Sequence, residues 1–296
     1  MDVELPYSGD CPVIYDNDDH RDVYTDEFLL ALASAGKIDL RGMVTSYSYD
    51  QKEYEEFVEG REEIVERARR SGMKNLPDPV AGPNVSLVEP SSSNIEDTEP
   101  IDTEGSRLII EEADDTSPED PLVIVTGGPL TNVADAYLLE PDLTESVVVS
   151  SLLGTQKDTS GWNGELDSWA TYIVTTKFRY VHFPTYYWPP IIRKQELKRR
   201  LPDSVLEEWL VEKQHPSNAL PDGADNDGQP VVPLVRPDYV TESTNAVVES
   251  YERGVCRFEE CAAGNVTIVR NADGHGVGRS AVFDALTDPN AYHNRV

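Results

Sequence analysis

The chain has 296 residues, of which 39% are hydrophobic, and it sets 55 Asp plus Glu against 25 Lys plus Arg for a formal net charge of −30. That charge argues against nucleic-acid binding, which needs Lys and Arg to neutralise phosphates, and against docking on anionic lipid. The apolar fraction and the length allow a sizeable core in one large domain.

In chain order, residues 12–15 read as a short buried strand and residues 25–35 as a helix ended by Gly36. A second strand is expected over 38–45 and a charged helix over 53–70, with Phe57, Val58, Ile64 and Val65 as its apolar positions and Gly72 as its stop. After a polar, Ser- and Pro-rich excursion (89–104), residues 106–113 look helical. The β-branched run 122–125 predicts a strand, 130–138 a helix and 146–153 another strand. Residues 193–209 read as a basic-then-apolar helix, and the part after about 239 as strand-rich. Strands alternating with helices predict an α/β fold with an open mixed, mainly parallel sheet covered by helices on both faces, as one domain over 1–296. No internal repeat is visible. Ligands of such sheets bind beyond the carboxyl ends of the strands.

One of those ends is crowded with carboxylates: Asp16, Asp18, Asp19, Asp22, Asp26 and Glu27 all follow the first strand. Carboxylates on the turn into a helix can surround one hard cation, and calcium takes about 6–8 oxygens. A metal-held water beside such a carboxylate is a nucleophile with a base at hand. The same residues also fit a solvated acidic surface, because acid is spread along the whole chain. That spread predicts a cytosol of very high salt, where the Debye length shrinks to about 3 Å and self-repulsion is muted.

Four motifs in order carry a resemblance. They are Asp16-Asn17-Asp18-Asp19-His20-Arg21-Asp22 followed by Leu32-Ala33-Ser34, the run Val123-Ile124-Val125-Thr126-Gly127-Gly128-Pro129-Leu130-Thr131-Asn132-Val133-Ala134, Glu165-Leu166-Asp167, and Asn226-Asp227-Gly228-Gln229-Pro230. Together they make the chain similar to the inosine/uridine-preferring nucleoside hydrolases, over roughly residues 12–237. The resemblance implies calcium-dependent hydrolysis of the N-glycosidic bond of a ribonucleoside or related ribosyl compound, with magnesium the lesser alternative. It implies Asp18 as calcium ligand and general base, Asp22 as ligand of a ribose hydroxyl, Asp227 as a further calcium ligand, and a carbonyl of Thr126 or Gly127 beside them. Glu165 and Asp167 would hold sugar hydroxyls. A homo-oligomer, dimer or tetramer, is expected by resemblance alone.

The departures are specific. Val23 stands where the family has a second Asp, and Asp26 or Asp16 is the replacement ligand on offer. Asp167 replaces an Asn, and Asn226 replaces the His that helps the base leave; an Asn cannot give a proton. His20 is the remaining candidate acid in the acidic turn, against the plainer reading of a solvated histidine. Trp162 and Asn163 are candidate substrate contacts, as are Asp50 and Asn226, and Tyr186-Tyr187-Trp188 is a wall for an apolar ring or a packing cluster. His182 reads as a strand histidine with a partner and His275 as a turn residue.

Two rivals stand beside this reading. A phosphohydrolase built on Asp16-x-Asp18 would need a later lysine, and none sits at an obvious strand end. A non-catalytic or altered-substrate member of the fold would follow from Val23 and Asn226. No run approaches the roughly 20 apolar residues of a membrane span. The first residues lack a signal peptide's basic and apolar segments. Cys11, Cys256 and Cys261 make neither a disulfide framework nor a zinc pattern. The expected setting is cytoplasmic and reducing.

Overall fold

The computed structural model describes residues 4–19, 24–46, 51–201 and 223–293. Its parallel strands are β1 (Pro12–Asn17), β2 (Asp39–Thr45), β3 (Pro79–Ala81), β4 (Leu122–Thr126), β5 (Val147–Leu152) and β6 (Arg179–Phe183). They lie in the order β3-β2-β1-β4-β5-β6, each parallel to its neighbours. A strand pair Ile191–Ile192 and Gly223–Ala224 (β7 and β8) forms a separate small sheet. The strand-rich C-terminal part supplies β9 (Val240–Glu252), β10 (Val255–Glu260) and β11 (Val266–Ala272). Strand β11 extends the main sheet parallel to β6, and β9 and β10 follow antiparallel at that edge.

Alternation along the inner strands explains why the sheet is covered twice. Val13, Tyr15, Val123, Val125, Val148 and Val181 face one apolar cluster, while Ile14, Ile124, Val147, Val149 and Tyr180 face the other. The first cluster lies under α1 (Thr25–Ser34), α2 (Gln51–Arg70) and the helix Arg279–Leu286. The second lies under α3 (Glu104–Ala113), α4 (Thr131–Leu139) and α6 (Ser168–Lys177). Every residue of α1 is buried, because α2 and the Arg279–Leu286 helix pack against it. Phe28, Leu29 and Leu30 are fully covered, each contributing about 1.5–3 kcal/mol.

The helix ends follow the residues expected to set them. Gly36, at φ +66, donates to Ala33 while Lys37 donates to Leu32, which closes α1 in a left-handed cap that a side chain would strain. The β9–β10 hairpin turns on Arg253 and Gly254, both at positive φ, as a two-residue hairpin requires.

Several expectations changed. The helix expected over 193–209 is α7, Lys194–Arg200, and residues 202–209 lie outside the described residues, as do His20, Asp22, Val23 and Asp50. Three helices were not anticipated: α5 (Trp162–Leu166), α6, whose apolar positions Trp169, Ala170, Ile173 and Val174 repeat at helical spacing, and the helix Arg279–Leu286 in the part read as strand-rich.

Candidate active site

Strand order reverses between β1, which leads outward to β2, and β4, which leads outward to β5. Both crossovers leave that point on opposite faces, so a crevice opens beyond the carboxyl ends of β1 and β4. A cleft of about 350 Å3 lies there, and Asp18, Gly127, Trp162, Asn163, Asn226 and Asp227 all border it.

Each residue arrives on a different element. Asp18 follows β1, and its backbone N–H is held by the side chain of Asn17 at 2.8 Å. Asn17 is itself fixed, because its amide nitrogen donates to the Tyr15 hydroxyl at 2.6 Å and reaches Asp227 at 3.4 Å. Behind the turn, the buried Arg61 of α2 donates to the carbonyls of Asn17 (2.9 Å) and Val44 (3.1 Å) and to the Thr45 hydroxyl (2.8 Å). A guanidinium thus ties together the ends of β1 and β2.

Gly127 follows β4 and donates to the carbonyl of Asp16 at 3.0 Å. A Cβ here would sit 2.8 Å from Cγ of Asp227, so only glycine lets that carboxylate approach. At Gly128 a Cβ would lie 2.7 Å from the Asp18 nitrogen. These two glycines bring the first and last acidic motifs together across the end of β4. The Asn163 amide nitrogen donates to the carbonyls of Gly127 and, at 3.1 Å, Leu152, which closes the end of β5.

Asn226 and Asp227 ride on a turn anchored from below. Buried Asp225 accepts from the Thr25 hydroxyl at the start of α1 and from the Gly228 N–H at 3.2 Å. Oδ1 of Asn226 is buried without a hydrogen-bond partner. Trp162, 61% exposed, reaches over the cleft and donates from Nε1 to Asp18 at 3.4 Å.

Not every expected residue converges here. Asp167 caps α6 instead: its carboxylate accepts from the N–H groups of Ala170 (2.9 Å) and Leu87 (2.8 Å) and from the Thr131 hydroxyl (2.9 Å). Burial, opposed by those donors, pushes its pKa up to about 6. With both oxygens engaged away from the cleft, it is a structural cap. Glu165 lies on the exposed side of the short α5, which turns Trp162 and Asn163 inward and Glu165 outward.

Asp26 is buried and paired with Arg61 at 3.3 Å, and it does not border the cleft. Asp16 lies beneath the floor, accepting from Asn132 at 3.0 Å, and burial raises its pKa to about 7. The Thr126 hydroxyl donates sideways to Ser151 at 3.1 Å, so of the two residues at the end of β4, Gly127 is the one that borders the cleft. His182 lies on β6 away from the cleft, with Nε2 against the Thr155 carbonyl at 2.7 Å, and burial holds its pKa down at about 4.

Glu53, Phe57, Leu152 and Thr185 also border the cleft and were not singled out by sequence reasoning. Glu53 and Phe57 begin the helix after β2, so the rule of strand carboxyl ends, applied to β2 as well as β1, was the signal available for them. Among the described residues, no group of three or more His, Cys, Asp or Glu side chains is arranged to hold a metal ion. The cleft offers three carboxylates from the motifs, Asp18, Asp19 and Asp227, with the Gly127 backbone beside Asp227.

No protein-family model matches the chain, and neither does any curated protein. Solved structures do match. A plant nucleoside hydrolase superposes with a TM-score of 0.67 at 19% identity, over 94% of this chain and 99% of its own. The inosine-uridine preferring nucleoside hydrolase of Bacillus anthracis gives 0.64 at 17%, over 96% and 99%. A purine-preferring ribonucleoside hydrolase from Gardnerella vaginalis gives 0.64 at 16%, over 95% and 99%. The superpositions take in nearly the whole of each chain: the fold of this chain is that of the nucleoside hydrolases.

Proposed function

We propose that this cleft hydrolyses the N-glycosidic bond of a ribonucleoside or related ribosyl compound. The observation that carries the reading is the meeting of Asp18, Gly127 and Asp227 at the switch point, under an aromatic side chain. A ribosyl transition state resembles an oxocarbenium ion, so it gains from nearby carboxylates, which also grip sugar hydroxyls.

In this reading Asp18 takes the proton of the attacking water. The Asn17 side chain and the Arg61 clamp hold its backbone in place, which limits the freedom lost when substrate binds. Trp162 and Tyr186 cover the heterocycle. Asp22 and Asp50 keep their proposed parts as sugar ligands.

The donor set fits a hard divalent cation: its members are oxygens, and the approach of Asp227 to Gly127 is a cradle that any side chain would fill. Asp18, Asp227 and the Gly127 carbonyl would hold calcium, with water and sugar hydroxyls completing the shell. Bound there, the ion would orient and acidify a water molecule.

The test is ribose release from a panel of nucleosides, with and without calcium, for the wild type, Asp18→Asn and Asp227→Asn. Asp18→Asn should lower kcat by about 10²–10⁴-fold. Asp227→Asn should weaken calcium binding in calorimetry. Ribose release that is indifferent to Asp18→Asn would refute the assignment. A second reading, sugar and metal binding without turnover, is favoured by Asn226, and calcium-linked ribose binding without product would establish it.

A further inference from the structure

The cleft combines three features whose joint consequence is a substrate class. Asp18, Asp19, Glu53 and Asp227 border it, and none of its described lining residues is Lys, Arg or His. Asn226 stands on its wall and has no proton to give. Trp162 and Tyr186 border it while 61% and 76% exposed, leaving aromatic surface for an incoming ring.

A neutral nucleoside must expel its base as an anion unless an acid protonates it, and the four neighbouring carboxylates, which together outweigh the charge of one divalent cation, oppose a departing anion. A nucleotide would bring phosphate charge into the same field. A ribosyl compound whose glycosidic ring nitrogen is already cationic meets neither obstacle. Its charge is drawn to the carboxylates and to the aromatic faces. It needs no acid to leave.

We infer that the preferred substrate is an N-ribosyl cation of the pyridinium type, in which the heteroaromatic ring departs as a neutral molecule. This rests on the hydrolase reading above. In the reaction, water adds to the anomeric carbon and the C–N bond breaks. Its electron pair passes to the ring nitrogen, which becomes neutral. Asp18 accepts the proton lost by the water and later releases it to solvent. The products are ribose, the free heteroarene and one proton.

The experiment compares kcat/KM for N-ribosylnicotinamide, inosine and uridine on the full chain, with Asp18→Asn as the control for spontaneous hydrolysis. The cation is expected to exceed both neutral nucleosides by about tenfold or more. Asn226→His, which restores an acid, is expected to narrow that ratio by about tenfold by speeding the neutral substrates. Inosine or uridine cleaved as fast as the cation by the wild type would overturn this inference and leave the hydrolase reading standing. Asp18-independent or absent cleavage of all three would overturn both.

Discussion

Five acidic residues show how place decides what a carboxylate does. Asp18 and Asp227 border the cleft, Asp26 neutralises a buried guanidinium, Asp225 anchors a turn, and Asp167 caps a helix. The cap is testable. Asp167→Ala should cost about 1–3 kcal/mol in denaturant unfolding, for a lost cap and orphaned donors. A folded pKa near 6 against about 4 unfolded means the group's stabilising effect is complete at low pH and is lost as pH rises through about 6, so the variant's cost should be larger at pH 4 than at pH 7. His182 has the opposite sense. Burial keeps it neutral in the fold, against the pull of the Nε2 bond to the Thr155 carbonyl, with a pKa near 4 against about 6.5 unfolded. Its stabilising effect is complete above about pH 6.5 and falls away toward pH 4. His182→Gln should therefore remove up to about 3 kcal/mol of acid-side destabilisation, read as the wild-type-minus-variant difference between pH 7 and pH 4. A difference that does not change with pH would show that His182 takes up its proton as readily in the fold as in the unfolded chain.

At the scale of elements, the loop between β5 and α5 determines where Trp162 and Asn163 stand. Arg270 on β11 donates to the Gln156 carbonyl at 2.8 Å, and Gln156 donates back to the Arg270 carbonyl at 3.1 Å. Phe258 and Thr159 add backbone bonds between this loop and β10. The antiparallel edge of the sheet thus steadies the loop that carries the cleft's aromatic wall. Arg270→Ala should raise KM several-fold with little change in kcat, because it loosens substrate positioning and leaves Asp18 untouched. An equal fall in kcat would place the loop in the chemical step instead. Apart from the three-residue β3, the order of strands and helices up to β5 was legible because buried β-branched runs and glycine stops repeat there. Helices α5 and α6 were missed because the eye for motif read residues 165–167 as ligands. Asp167 instead ends one helix and caps the next.

For the whole molecule, a charge of −30 on 296 residues makes self-repulsion a term in stability. The midpoint of thermal unfolding, followed by calorimetry, should rise as KCl goes from about 0.1 M to about 2 M, where the Debye length falls from about 10 Å to a few Å. A flat or falling midpoint would leave the acidic surface without a stabilising role for salt. The sequence by itself determined the class of fold, because period-2 and period-3.6 patterns are local and each strand carried its own. Through the resemblance that its motifs carry, it also implied a shared site for Asp18, Asp227 and one of Thr126 and Gly127, and left the choice between those two open. Only the tertiary structure decided which of the many carboxylates share it. Convergence is a property of strand order: Asp227, more than 200 residues from Asp18, meets it because β1 and β4 are neighbours and a glycine at 127 leaves room. Asp26 and Asp167, nearer than Asp227 to Asp18 in sequence, are held away by Arg61 and by the first turn of α6.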